Sequence, residues 1–103
     1  MATSRTPTVV SRSMRKLGTD LATWRKLRQL TVAEVADRAG IGVATVARLE
    51  AGQGATLENV MRVTRALGVL EVLTDALDPY ASDVGRLRSD EVLPERVRRR
   101  QNP

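Results

Sequence analysis

The sequence predicts an all-α protein built around one compact domain of five short helices. Apolar residues recur at three- and four-residue spacing, the period of an α-helix with one buried face. Threonines that can cap a helix precede several of these runs, and glycines that can end one follow them. Leu, Ile and Val make up about a quarter of the 103 residues, which is enough to form a hydrophobic core.

The segment before the first helix has no helical period. Residues 1–12 are rich in Thr and Ser and contain Pro7, so they are predicted to form a flexible basic arm. Helical spacing begins near Ser13 and becomes clear from Thr19, a predicted N-cap. Three side chains at three-residue spacing are expected to face the core: Leu21, Trp24 and Leu27.

Two short helices joined by a tight turn are predicted within residues 31–52. Thr31 and Glu34 have the spacing of a capping box, in which each side chain accepts a hydrogen bond from the other residue's backbone N–H. Gly40 is expected to end the second helix, and a third follows after two residues and ends at Gly52. This pattern predicts a helix-turn-helix, whose second helix can present a rigid face to a DNA major groove about 12 Å wide.

A fourth and a fifth helix complete the predicted domain, residues 13–78. Thr56 is the predicted N-cap of the fourth helix and Gly68 its end. The fifth is predicted at Val69–Leu77, with a short strand at Val69–Leu73 as the alternative, because short apolar runs are ambiguous. The side chains expected to face inward are Leu57, Val60, Met61, Val63 and Leu67 from the fourth helix and Val69, Leu70, Leu73 and Leu77 from the fifth.

The remaining residues, 79–103, form a C-terminal extension that could contain one short helix and that ends in an Arg-rich tail. The net charge of +5 is unevenly distributed, since residues 1–30 and 79–103 carry the basic surplus and the middle is mildly acidic. Basic ends on a compact domain indicate an acidic partner such as nucleic acid, or serve as solvated tails.

The chain contains neither Cys nor His. This excludes disulfides, zinc sites of the Cys/His kind, cysteine nucleophiles and histidine acid–base catalysis. We therefore expect no enzyme activity, no cofactor and no metal. No stretch approaches the roughly 18 apolar residues that cross a bilayer, so we expect a cytoplasmic protein with no membrane partner.

Several motifs follow one another along residues 18–78. They are Leu21, Trp24-Arg25, the run from Leu30 to Ala36, Ala39-Gly40-Ile41, the run from Thr45 to Gly52, Leu57 and Leu67-Gly68-Val69. This series resembles the Cro/CI (XRE-like) helix-turn-helix family. The resemblance implies a lambda-repressor-like, five-helix DNA-binding domain that acts as a homodimer on a double-stranded DNA operator. It also implies a structural ion pair between Arg25 and Glu50.

The resemblance also assigns DNA-contacting positions. Base contacts are implied for Val43, Ala44 and Arg48, and phosphate contacts for Val32, Thr45 and the backbone amides of Gln53 and Gly54. Arg28 is a further candidate for phosphate contact because it is basic. Val43 and Ala44 cannot hydrogen-bond a base edge, so Arg48 is the expected polar reader, through guanine O6 and N7. Gly42 stands where the family usually has Ser or Thr as the cap of the recognition helix, which weakens the cap by only a few tenths of a kcal/mol.

The expected function is that of a sequence-specific transcriptional repressor, either a phage-type immunity repressor or a small bacterial regulator. Two alternatives are an antitoxin that binds a toxin and also regulates its own operon, and a coactivator that bridges proteins. Residues 69–77 and 80–93 are the expected dimer contact surface. Accessory DNA contacts are expected from the basic ends: Arg12, Arg15, Lys16, Arg96, Arg98, Arg99 and Arg100.

Overall fold

A computed structural model describes residues 5–93, which form six α-helices and no strand. The all-α prediction is confirmed. The chain divides into two compact units, one up to Leu70 and one from Glu71. The helices are α1 (Thr8–Leu27), α2 (Val32–Ala39), α3 (Val43–Glu50), α4 (Leu57–Leu67), α5 (Leu70–Ala76) and α6 (Asp83–Val92). None of the helices in this part of the chain is long and apolar enough to cross a membrane.

The first helix begins earlier than predicted. α1 starts at Thr8 directly after Pro7, so residues 8–12 are helical and the predicted arm is wrong for them. No glycine or proline interrupts the helix before Gly18, which packs on the end of α3. A Cβ at Gly18 would stand 2.5 Å from the Glu50 carbonyl oxygen, so only glycine allows this close approach.

The face of α1 that packs also differs from the prediction. Leu21 is buried, but Leu27 is 68% exposed and Trp24 is exposed as well. The helix packs through Gly18, Leu21 and Arg25, which recur at three- and four-residue spacing, so positions 24 and 27 turn away from the core. Trp24 instead covers the guanidinium of Arg28, which lies 5.5 Å from the ring centroid.

Helices α1 to α4 all end in the same way. Each is followed by one residue with positive φ: Gln29, Gly40, Gly52 and Gly68. The next residue then donates its backbone N–H five residues back, as Ile41 does to the Ala36 carbonyl at 3.0 Å and Val69 to that of Thr64 at 2.8 Å. This Schellman geometry satisfies the last carbonyls of each helix and turns the chain sharply.

The core lies between α2, α3 and α4, with α1 packed on α3. Its buried apolar residues are Leu21, Val35, Ala36, Ala39, Val46, Leu49, Val63, Leu67 and Val69. The predicted inward positions Leu57 and Met61 are exposed, because α4 buries the face that carries Val63, Thr64 and Leu67. The only buried polar side chain among residues 5–93 is Thr64, whose hydroxyl donates to the Met61 carbonyl.

α5 is helical, so the alternative of a strand at Val69–Leu73 is wrong. Val69 is buried, but Leu77 is 90% exposed and faces no core. In the second unit, a 3₁₀ turn at Pro79–Ala81 leads into α6, and the Ser82 hydroxyl caps α6 by accepting the Gly85 N–H. The arginines of the predicted tail, Arg96, Arg98, Arg99 and Arg100, lie outside the described residues.

Candidate nucleic-acid interface

Local backbone chemistry fixes both ends of α2. The Thr31 hydroxyl accepts the Glu34 N–H at 3.1 Å, and the Glu34 carboxylate accepts the Thr31 N–H at 2.9 Å, so the predicted capping box is confirmed. These bonds lower the pKa of Glu34. Gly40 has φ of 70° and reverses the chain, and Ala36 is small enough to be fully covered where the helices meet.

α3 has one buried and one exposed face. Val46 and Leu49 are buried in the core and hold the helix in place. On the other side Val43, Ala44 and Arg48 are exposed, and Ala47 lies among them one turn after Val43. The helix therefore presents three apolar side chains and one cation on a single rigid face. The sequence interpretation missed Ala47, although its four-residue spacing from Val43 is a signal for the same face.

Several of the predicted DNA-contacting residues line one surface cleft. Thr45, Arg48, Gln53 and Gly54 surround a volume of about 390 Å³ at the end of α3. The cleft is completed by Thr56 and Asn59, which the sequence interpretation did not single out. Asn59 occupies the third position of α4, where its N–H donates to the capping Thr56 hydroxyl at 3.1 Å. The predicted cap at Thr56 was the signal that could have placed Asn59 next to this turn.

Gln53 differs from its counterparts at the other helix ends. The residues one position beyond the positive-φ residue are Leu30, Ile41 and Val69 after α1, α2 and α4, and all three pack on the core. After α3 that position is Gln53, which is exposed and borders the cleft. The hydrophobic contact that usually completes this motif is therefore replaced by a polar side chain on the surface.

An ion pair ties α1 to the end of α3. Arg25 Nε donates to Glu50 Oε2 at 2.8 Å and its Nη2 donates to Glu50 Oε1 at 3.2 Å, while Nη1 donates to the Leu30 carbonyl. Both side chains are only 15% exposed. The hydrogen bonds to Glu50 raise the pKa of Arg25, which burial opposes and the Glu50 charge favours. The pair positions α3 relative to α1.

Two predicted phosphate-contacting side chains lie outside the cleft. Arg28 Nε donates to the Leu67 carbonyl at 3.1 Å, so this arginine caps the end of α4. The Val32 side chain packs against the core from the first position of α2. Phosphate contacts by Arg28 and Val32 remain predictions.

The basic residues near the start of the chain are carried by a helix. Arg12, Arg15 and Lys16 are exposed on α1, and Lys16 pairs with Asp20 at 2.6 Å.

No group of three Asp, Glu, His or Cys residues within residues 5–93 could hold a metal ion.

A comparison with protein-family models matches residues 21–71 to the helix-turn-helix family, of the Cro/CI-like (XRE) type. The chain belongs to this family. No curated protein and no solved structure gives a match. The helix-turn-helix match covers α1 from Leu21 to the start of α5, so it contains α3, the cleft and the Arg25–Glu50 pair. Its members are DNA-binding regulators, and the chain is therefore a DNA-binding helix-turn-helix protein.

Proposed function

We propose that the chain is a sequence-specific transcriptional repressor that inserts α3 into the major groove of duplex DNA. The observation that carries this proposal is the rigid exposed face of α3, on which Val43, Ala44 and Arg48 point away from the core. An α-helix fits the major groove, where every base pair presents a distinct pattern of donors, acceptors and methyl groups.

The base contacts follow from the side chains on this face. Of the four side chains on this face, Val43, Ala44 and Ala47 are apolar and Arg48 can donate hydrogen bonds. Arg48 therefore reads guanine through O6 and N7. The three apolar side chains contact thymine methyl groups. The operator half-site is thus expected to combine one guanine with neighbouring thymines.

The cleft beside α3 suits the DNA backbone. Thr45, Gln53 and Asn59 offer neutral donors around it, and the N-terminus of α4 opens onto it at Thr56. Phosphates are commonly held by such side chains together with helix N-termini. Backbone contacts at this cleft set the register in which Arg48 meets its base.

A homodimer matches the geometry of operators with two half-sites. Paired recognition helices bind half-sites about 34–36 Å apart, which is one turn of DNA. Within the second unit, Val84 and Leu87 are largely exposed and provide apolar surface for self-association. The same surface favours the antitoxin function as a second candidate, in which a toxin would occupy it.

The test compares Arg48→Ala with Arg65→Ala, a variant with the same charge change at an exposed site on α4 that does not line the cleft. A duplex selected from random sequence by the wild-type protein and a scrambled duplex serve as probes. We expect Arg48→Ala to lose about 1–3 kcal/mol of binding to the selected duplex, most of it discrimination against the scrambled one. Arg65→Ala should bind both duplexes like the wild type.

Equal losses for both variants on both duplexes would contradict direct readout by Arg48. Failure of the selection to enrich any sequence would favour the coactivator alternative. Release of the operator by a co-expressed toxin bound to the second unit would favour the antitoxin.

A further inference from the structure

The first thirteen residues of α1, residues 8–20, precede the family match, which begins at residue 21. We propose that this extension is a second DNA contact, in which helix-mounted Arg12 and Arg15 bind backbone phosphates beside the turn between α3 and α4. The proposal rests on the proposed function, because it takes the α3 face and its cleft as the DNA-binding side.

The extension is fixed to the turn by close backbone contacts. Gly18 lies against the carbonyl groups of Leu49 and Glu50, where no side chain would fit. One helical turn earlier, a Cβ on Gly52 would stand 2.7 Å from Arg15 Cα. The two glycines therefore let α1 cross the end of α3 with its backbone almost in contact.

The direction of the helix continues this contact along the turn. The methyl carbon of Met14 lies 3.3 Å from where a Cβ of Gly54 would stand, so α1 runs beside residues 52–54. Gln53 and Gly54 border the cleft that the proposed function assigns to phosphate. The backbone of Arg15 is thus held at Gly52, the residue before Gln53, and Arg12 lies three residues earlier on the neighbouring turn of the helix.

The charges on the extension are available to a ligand. Arg12 and Arg15 are exposed and form no ion pair with another of the residues 5–93, whereas Lys16 is paired with Asp20. α1 also carries no acidic residue in its first turn. Two cations without an ion-pair partner in the described part of the chain therefore follow one another on α1, and Arg15 lies at the turn.

Duplex DNA is the polyanion that fits this row. It carries one negative charge per about 1.7 Å of helix axis, so a guanidinium held at its surface always has a phosphate within reach. A helix presents the arginines in fixed positions and loses less conformational entropy on binding than a flexible arm would. Such contacts add affinity on every sequence and leave specificity to α3.

The first experiment measures how the dissociation constant depends on salt for Arg12→Ala and Arg15→Ala, with Arg65→Ala as the charge-matched control. Each of the two variants should reduce the slope of log affinity against log salt by about one, on the selected and the scrambled duplex alike. Arg65→Ala should leave the slope unchanged. Slopes for Arg12→Ala and Arg15→Ala that equal the wild-type slope would overturn the proposal.

The second experiment tests whether binding needs the helical conformation of residues 8–12 as well as their charge. Ser13→Pro keeps every charge but removes the backbone N–H of residue 13 from the helix and so frees residues 8–12. Ser13→Ala is its control, because both variants lose the bond from the Ser13 hydroxyl to the Val9 carbonyl and only the proline disturbs the backbone. We expect Ser13→Pro to weaken binding as much as Arg12→Ala does and Ser13→Ala to bind normally. Normal binding by Ser13→Pro would show that DNA binding does not need Arg12 to lie on a helix.

The two proposals can fail separately. Unchanged salt slopes in Arg12→Ala and Arg15→Ala, together with lost discrimination in Arg48→Ala, would overturn only the proposal that the extension binds DNA. Reduced slopes together with no sequence preference in the wild type would overturn specific readout and leave the backbone contact in place.

Discussion

Single side chains decide how firmly α3 is held against α1. Arg25 and Glu50 form two hydrogen bonds in a site where both side chains are 15% exposed, while the pair between Lys16 and Asp20 on the surface of α1 is open to water. Solvent screens the second pair but hardly the first. The two acidic residues should therefore differ in their contributions to stability.

Replacing Glu50 with Ala leaves the Arg25 guanidinium partly buried without its carboxylate partner. We expect Glu50→Ala to lower the free energy of unfolding by about 2 kcal/mol, because a hydrogen bond to a charged group contributes roughly 1.5–3 kcal/mol. Asp20→Ala, the control, should cost under about 0.5 kcal/mol. Urea denaturation of both variants measures the difference, and equal losses would contradict the proposed anchoring of α3.

Helix ends determine much of the architecture at the level of secondary structure. Three of the four positive-φ positions that follow α1 to α4 are glycines, but the one after α1 is Gln29, with φ of 60°. A residue with a Cβ pays about 1–2 kcal/mol in this conformation. The end of α1 is therefore the strained member of the set.

Gln29→Gly should relieve this strain. Part of the gain is offset because glycine loses more backbone entropy on folding, so we expect a net stabilisation of about 0.5–1 kcal/mol. Differential scanning calorimetry should then show a melting temperature a few degrees higher, at roughly 4–8 °C per kcal/mol for a domain of this size. Gln29→Ala tests the cause, since alanine keeps the Cβ and should give no such gain.

The capping box at the start of α2 makes stability depend on pH. Hydrogen bonds from Thr31 lower the pKa of Glu34 in the folded protein. A lowered folded-state pKa contributes stability above the unfolded-state pKa, near the ordinary Glu value of about 4.3, and this contribution is lost as the pH falls through the folded-state pKa. The stability advantage of the wild type over Glu34→Gln should accordingly shrink on acidification.

Chemical denaturation of the wild type and Glu34→Gln at a series of pH values from neutral to about 3 measures this difference. Glutamine still offers an oxygen to the Thr31 N–H, so the variant keeps the cap without the titrating charge. Thr31→Ala keeps the backbone N–H that lowers the pKa of Glu34 most, so it should remove only the smaller part of the pH-dependent difference that the Thr31 hydroxyl contributes. A gap between wild type and Glu34→Gln that widens towards low pH would contradict the sign of the effect.

At the scale of the whole molecule, the second unit presents exposed apolar surface. α6 has ten residues, too few for an isolated helix to be stable in water, and its Val84 and Leu87 are 72% and 71% exposed. Val69, also expected to contact a partner, is instead buried in the core. The proposed dimer surface is therefore centred on α6.

Replacing Val84 and Leu87 together with Glu should convert a dimer of the 11.3 kDa chain into a monomer. Sedimentation velocity measures the mass, and far-UV circular dichroism should show that the helices of the first unit remain. The variant should bind a single half-site like the wild type but lose affinity for a paired operator. A wild-type chain that sediments as a monomer both free and on its operator would contradict dimerisation.

Most of α2, α3 and α4 could be predicted from the sequence. The capping box of Thr31 and Glu34, the cap at Thr56 and the ends at Gly40 and Gly68 depend on hydrogen bonds within a few residues. Local chemistry was sufficient for these features. The family resemblance, and not the spacing, implied Val43, Ala44 and Arg48 on the exposed face of α3, and Ala47 was missed.

One feature could not be predicted from the local pattern. The packing of α1 through Gly18 and Leu21 in place of Trp24 depends on contacts between segments distant in the chain. A helical period says that one face is buried, but the partner helix decides which one. The apolar residues 24 and 27 fit the period and still face water.

The sequence by itself therefore determined the all-α class and the helix-turn-helix, because capping and periodicity are local properties of the chain. The tertiary structure decided where the basic surplus of residues 1–30 lies. Gly18 and Gly52 permit a backbone approach that no pattern along one segment can reveal, and this approach places Arg15 on a fixed helix beside the α3–α4 turn.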